Sequence, residues 1–357
     1  MKQLLAYCLS IILCVSFTGC MENYLDLYPE DKITSASFPE NESDIKLLLN
    51  GVYAQLREKE VYNQGLFGFG ITDGATPNAF NWGTDEVFNK LGAGRLSSSD
   101  GGVVTYRWKR CYEIISRANY LLACMDLVDL SEEAKAKYSG ETHFLRGLAY
   151  SVLAETYGGV PIILTNISTE EARSLKRASL EETWQQALDD YEVAITNLGV
   201  DAPEPGRATK GAALGMKMRA YLYQGKYKEV LSCVEQIDAL KKYGLFHSYE
   251  GLFDPANENN KEVLFDIQYI EGENSQGSYI DQYCGTGTGS WTRGSRYVPT
   301  DDLVAAYETI DGSPVDPENP YENRDPRLGF TAVLPGSYFL GYRTCIREVR
   351  LIMPVIG

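Results

Sequence analysis

The sequence predicts a mainly α-helical fold of tetratricopeptide-like helical repeats, accompanied by a loop-rich, less regular part. Three observations carry this. Apolar residues recur at i, i+3, i+4 and i+7 through several stretches that begin on capping residues and end on glycine. One segment, 214–237, reads as two helices turned at Gly225. Two long stretches, 65–102 and 271–299, have no helical period and are rich in glycine and aromatic residues. Composition supports a large core, because 44% of the 357 residues are hydrophobic and 11% aromatic, with 25 tyrosines.

The chain opens with Lys2 and an uncharged run over residues 4–17. That run is too short to cross roughly 30 Å of hydrocarbon as a helix. A basic start, a short apolar centre and the small residues Thr18 and Gly19 suit a processed export signal over residues 1–19. Small residues before Cys20 fit the lipobox of bacterial lipoproteins, in which the thiol becomes the lipid attachment point. Phe17 departs from the usual leucine there, and the competing reading is an ordinary signal peptide, although no A-x-A-like site lies nearby. Lys2 is the leader's only charge, so the rest of the chain is one charge more negative than the −16 of the whole. An acidic chain lacks the basic face that phosphate neutralisation requires, which argues against nucleic acid and against electrostatic adhesion to anionic lipid.

The helices follow in order. Ser43 and Asp44 precede Ile45, Leu48, Leu49, Val52, Tyr53 and Leu56, which predicts a helix over about 44–59. A second stripe, Tyr112, Ile115, Leu122 and Met125, follows Trp108. A third rises from Ser131 through Phe144, Leu145, Leu148, Val152 and Leu153 until Gly158 and Gly159 stop it, and Pro161 makes the exit extended. Ser179 and Glu182 form an S-x-x-E capping box ahead of Trp184, Leu188, Tyr191, Ile195 and Leu198. The pair at 214–237 leaves one face uncovered and must stack on similar neighbours if it is a tetratricopeptide-like unit. Spacing alone leaves a generic helical hairpin open.

The two aperiodic stretches are long enough to be functional. The first holds Asp73, Asn78, Phe80 and Trp82; the second holds Tyr279, Tyr283, Trp291, Arg293 and Tyr297. Flat aromatic faces beside amide, carboxylate and guanidinium groups are what a sugar needs, since its C–H face stacks on a ring while its hydroxyls take directional hydrogen bonds. These nine residues are the ligand-binding candidates. Loop aromatics also serve simply to pin a loop to the core, so the clustering, rather than any one side chain, carries the expectation.

Five strings arrive in a specific order: "GCMENYLDLYPED" at 19–31, "GETHFLRGLAYSVLAETYGGVPII" at 140–163, "ATKGAALGMKMRAYLYQGKYKEV" at 208–230, "PTDDLVAAYETIDG" at 299–312 and "NRDPRLGFTAVLPG" at 323–336. Together they resemble the SusD/RagB family across nearly the whole chain beyond the leader. The resemblance implies tetratricopeptide-like helices with a less regular ligand-binding part. It further implies a lipid-anchored, surface-exposed outer-membrane lipoprotein that binds glycans and partners a SusC-like TonB-dependent transporter. Peptide uptake, as in RagB-like relatives, is the alternative ligand class. On this reading residues 20–40 form a lipidated tether and 41–341 the SusD-like helical domain.

Catalytic and metal signatures are sparse. There are only two histidines, His143 within a helical stripe and His247, and neither G-x-S-x-G nor H-E-x-x-H occurs. "GTGTGS" lacks the lysine of a phosphate loop. A two-carboxylate glycosidase stays open, although no local signature selects a pair. Of the eight cysteines, those beyond Cys20 are Cys111, Cys124, Cys233, Cys284 and Cys345, an odd number without metal spacing, so buried free thiols are expected. Asp311, Asp316, Glu318, Asn319 and Asp325 offer oxygen ligands, but their spacing is not that of a calcium loop, and a solvated turn region is the preferred reading. Residues 342–357 carry Arg343, Arg347 and Arg350 against Glu348 in an otherwise acidic chain. With family members ordinarily continuing further, this tail is expected to mark a truncated or frameshifted end, against the alternative of a natural short variant.

Overall fold

The computed structural model describes residues 38–58, 73–81, 90–97, 99–269, 297–339 and 342–343. Its body is a helical array. Helix α1, Glu42–Tyr53, starts ahead of the expected Asp44 because Asn41 is the cap, its side chain accepting the Asp44 N–H at 3.2 Å. It tightens into a 3-10 turn at Ala54–Arg57 instead of running to Lys59. Ile45, Leu49 and Val52 form its buried stripe. Helix α2, Val103–Cys124, begins before the visible stripe, on Gly102 at φ 66°. Trp108 there meets Tyr157 edge-on at 5.2 Å.

Helix α3, Glu132–Tyr157, is capped by Ser131 as expected and forms the centre of the array. Its apolar stripe is only part of what it buries, since Tyr138, Glu141, Arg146 and Tyr150 are covered as well. A helix enclosed on more than one side loses one-faced periodicity, and its polar members must then find partners. Helix α5, Leu180–Asn197, carries the expected capping box, with Ser179 N donating to Glu182 at 2.7 Å and Glu182 N to Ser179 at 3.1 Å. It packs on α3 closely enough that a Cβ on Gly147 would lie 3.0 Å from the Tyr191 ring and 3.1 Å from the Ala187 carbonyl. Glycine is thus the residue that sets the α3–α5 spacing.

Between these helices the chain runs extended past Pro161 and is tied down by side chains. Tyr150 donates its hydroxyl to the Ile163 carbonyl at 2.9 Å and accepts the Ile163 N–H at 2.8 Å. Asn119 of α2 donates to the same carbonyl at 2.9 Å. A short helix, α4 (Thr169–Ser174), follows with a Ser168–Glu171 capping box. The sequence analysis did not anticipate it, because its six residues show no apolar stripe and bury nothing.

Helices α6, Lys210–Tyr223, and α7, Tyr227–Ala239, form the expected pair turned at Gly225, whose φ of 70° suits glycine. Helix α6 buries Ala212, Ala213 and Ala220, small residues that allow close approach to its neighbours. In α7 only Cys233 is fully buried. Cys111, Cys124 and Cys233 are buried free thiols, as expected, while Cys284 and Cys345 lie outside the described residues. Burial pushes the Cys111 thiol up to about 12, so it stays protonated.

Beyond the helical body the chain forms short pieces. Strand β1, Ala79–Asn81, pairs antiparallel with β2, Tyr297–Pro299, which leads into helix α8, Asp301–Ala306. Helix α9, Arg327–Thr331, precedes a hairpin of β3, Tyr338–Phe339, and β4, Tyr342–Arg343. Among the described residues no helix is long and apolar enough to cross a membrane.

Candidate functional site

The two aperiodic stretches meet. Ala79 stands opposite Pro299, Phe80 opposite Val298 and Asn81 opposite Tyr297. The pairing is extended by Thr300, whose N–H donates to the Asn78 carbonyl at 3.0 Å and whose hydroxyl donates to the Pro77 carbonyl. The same hydroxyl accepts the Leu303 N–H at 3.2 Å, so Thr300 is also the N-cap of α8. One threonine therefore locks the strand register to a helix start.

Side chains opposite each other on an antiparallel pair share a face. Phe80 and Val298 do so here, and Val298 is buried while Phe80 remains 49% exposed. Ahead of the strand, Thr76 closes a turn by donating its N–H and hydroxyl to the Asp73 carbonyl at 2.8 and 2.7 Å. The Asn78 N–H then donates to the Thr76 hydroxyl at 3.1 Å. Asp73 and Asn78 are exposed on this approach. The structure thus brings Asp73, Asn78 and Phe80 into one short stretch beside the backbone of Tyr297. Trp82, Tyr279, Tyr283, Trp291 and Arg293 lie outside the described residues, as does Cys20.

Sequence reasoning missed the support behind this ribbon. Arg324, buried, donates to the Pro320 carbonyl at 2.7 Å and to the Val304 and Tyr307 carbonyls at the end of α8 at 2.6 and 2.5 Å. Helix C-termini leave such carbonyls without intrahelical donors, and a guanidinium suits them. The Asp325 N–H reaches back to the Glu308 carbonyl at 2.8 Å. The "NRDPR" string therefore braces α8, which Thr300 joins to the β1–β2 ribbon. The Thr300-Asp301-Asp302 run was a legible N-cap signal for that helix.

The acidic turn is occupied by its own bonds. Asp311 accepts from the Ser313 hydroxyl and N–H at 2.7 and 3.0 Å, which lowers its carboxyl to about 2. Asp316 accepts from Asn319 at 2.9 Å and the Glu318 N–H at 3.0 Å. Among the described residues no group of three or more His, Cys, Asp or Glu side chains stands close enough to hold a metal. His143 is a helix residue whose Nδ1 lies 2.8 Å from the Ser139 carbonyl, and burial lowers its pKa.

A separate cleft of about 430 Å³ opens beside α1, lined in part by Asn50, Tyr53, Arg57, Arg207 and Gln268. Its polar groups largely satisfy one another. Tyr53 donates to Glu141 at 2.8 Å and accepts the Ala208 N–H at 2.9 Å, and the Arg207 guanidinium sits 4.9 Å over the Tyr53 ring. Burial raises the pKa of both Tyr53 and Glu141. This network ties α1, α3 and the turn before α6 together, and of the described candidates Asp73, Asn78 and Phe80 none lines the cleft.

A family model described as SusD-like, starch-binding associating with outer membrane, matches residues 23–222. A second, described as the SusD family, matches residues 261–353. SusD-like protein P25 of Formosa agariphila is 26% identical over 321 residues, covering 84% of this chain and 58% of that protein. The crystal structure of a SusD-like carbohydrate-binding protein from Bacteroides fragilis superposes with a TM-score of 0.75 at 29% identity, covering 85% of this chain and 61% of that one. A laminarin-binding SusD-like protein shares the fold, with a TM-score of 0.63 at 21% identity over 85% of this chain and 70% of its own. The chain therefore spans about three-fifths of the length of the Formosa and B. fragilis relatives. With the helical array, the family strings and matches over most of its length in agreement, the chain belongs to the SusD/RagB family.

Proposed function

We propose that this protein is a cell-surface glycan-binding lipoprotein that delivers oligosaccharide or polysaccharide to a SusC-like TonB-dependent transporter in the outer membrane for uptake. The observation that carries the reading is the β1–β2 pairing, which joins two aromatic-rich stretches and leaves Phe80 half-exposed next to Asn78 and Asp73. An aromatic face flanked by an amide and a carboxylate fits a sugar ring and its hydroxyls. The family description as starch-binding and outer-membrane-associated, and the laminarin-binding relative of the same fold, support the ligand class. On this reading Trp82, Tyr279, Tyr283, Trp291, Arg293 and Tyr297 complete the site, and Cys20 carries the lipid after removal of residues 1–19. The protein binds without cutting its ligand.

A glycan array that includes starch and laminarin identifies the ligand, and titration calorimetry then tests the site. Phe80→Ala, Trp82→Ala and Trp291→Ala should each weaken binding by roughly tenfold or more, the cost of losing a stacked ring. Unchanged affinity in all three variants would sink the assignment of the ribbon. Silence across the array would sink the glycan reading, and release of reducing ends during incubation would convert it into that of a hydrolase.

A further inference from the structure

Helix α8 is too short to stand alone. It has six residues, whereas an isolated helix in water needs roughly twelve or more before propagation outweighs the cost of nucleation. Its two ends must therefore be held from outside. At the start, the Thr300 hydroxyl accepts the Leu303 N–H, and Asp301 and Asp302 occupy the first turn, where the helix dipole favours negative charge. At the other end Tyr307 leaves extended, at ψ 131°, and Arg324 supplies donors to the Val304 and Tyr307 carbonyls.

Arg324 is brought there by a strap of chain. After α8 the backbone runs out and returns, with Thr309 bridged antiparallel to Arg324, the Ile310 N–H on the Asn323 carbonyl and the Asp325 N–H on the Glu308 carbonyl, both at 2.8 Å. The buried guanidinium then holds both arms. Nη1 donates to Pro320 in the strap while Nη2 donates to the helix end, so three carbonyls in two directions are met by one planar fork. A lysine ammonium is a single point and cannot span them. The effect reaches the ribbon through Thr300, which caps α8 and also bonds to Pro77 and Asn78. If α8 frays, its cap loses a fixed place.

We propose that Arg324 is a positioning residue of the glycan site: by closing the far end of α8 it keeps Thr300 against the β1 approach, and so fixes where Asn78 and Phe80 stand. The inference rests on the reading of the ribbon as that site. Arg324 is buried and acts through α8, not by meeting the sugar.

Hydrogen–deuterium exchange of the unliganded full chain tests the positioning without reference to any ligand. In Arg324→Lys, which keeps the charge and loses the fork, amides of residues 78–81 and 298–306 should exchange about fivefold faster, the scale of one hydrogen bond, while those of α3 keep wild-type rates. Titration with whichever of starch, laminarin and the other array glycans wild type binds tests the consequence, and Arg324→Lys should bind about fivefold more weakly. Gly147→Ala, which strains α3 against α5, should leave that affinity alone, as a general loss of stability would not. Combined with Thr300→Val, Arg324→Lys should weaken binding by less than the product of the two single effects, because both act on one helix. Arg324→Gln, with far-UV circular dichroism matched to wild type, serves as the second variant if Arg324→Lys does not fold. Ribbon amides that keep their wild-type rates would overturn the proposal whatever the ligand. So would full affinity in Arg324→Lys where Phe80→Ala binds weakly, or independent effects in the double variant. Silence across the array, or full binding by Phe80→Ala, would instead sink the reading of the ribbon as a glycan site, and the exchange rates would still judge the tie between Arg324 and the ribbon.

Discussion

Arg146 grips Asp190 through a fork, with Nε 3.0 Å from Oδ2 and Nη2 2.7 Å from Oδ1, both side chains being almost wholly buried between α3 and α5. The remaining guanidinium nitrogen, Nη1, donates to Asn119 of α2 at 2.8 Å, and Asn119 in turn holds the extended segment at Ile163. One cation thus links three helices and the connection that follows α3. Removing one partner of a buried pair leaves the other uncompensated. Asp190→Asn and Arg146→Ala should each cost about 3–5 kcal/mol in urea unfolding. Joint replacement by Arg146→Met and Asp190→Leu should cost less than either alone, because no buried charge is left behind.

Gly147 sets the distance between the same two helices. Gly147→Ala would push a methyl against the Tyr191 ring and the Ala187 carbonyl, a contact about as tight as real Cβ atoms ever show. Overpacking of this kind costs about 1–3 kcal/mol, which differential scanning calorimetry would detect as a lower melting temperature. A melting temperature equal to wild type would mean that α3 and α5 can spread without loss.

Thr300 connects stability to ligand binding. Thr300→Val removes the cap of α8 and the hydroxyl bond to Pro77, at a stability cost of about 1 kcal/mol. The larger effect should appear in glycan affinity, because the β1 approach loses a tie while Phe80 itself is intact. Calorimetric titration beside a melt separates the two, and a fall in melting temperature with unchanged affinity would show that the register does not depend on this hydroxyl.

Acidity should act through His143. Burial depresses its folded-state pKa below 6.5, so its contribution is fully present above the unfolded value and is lost as pH falls through the folded one. Urea midpoints should therefore drop as the pH is lowered from neutral toward 5. Glu141, whose pKa is raised by burial, works in the opposite sense: its contribution is full below its unfolded value and lost as pH rises through the folded one. The diagnostic comparison is His143→Gln, which should show a smaller acid-side loss than wild type; identical pH profiles would exclude the histidine as the cause.

Most of the helical body was legible because its signals are local. Ser131 and Ser179 mark helix starts, Gly225 marks a turn, and the stripes of α1, α5 and α7 stand out at helical spacing. The α1 start was misplaced because Asn41 and Ser43 are both capping types, and only the observed bond to Asp44 chooses between them. The polar residues buried on α3 were opaque for a different reason. Arg146 looks like a surface residue until Asp190 and Asn119 are brought to it by packing. The candidate ribbon was half legible: the aromatic stretches announced themselves by composition, while β1 and β2, three residues each, are too short to show alternation and exist only as a pair.

The Thr300–Pro77 bond joins positions 223 residues apart in sequence. Closing so long a loop gains nothing until the intervening helices have shortened it, whereas those helices form from local contacts. Assembly of the ribbon is therefore expected to come late in folding, after α2 to α7 have docked. Carbohydrate affinity would then report on completed folding, and chains caught midway would be helical by spectroscopy yet blind to sugar.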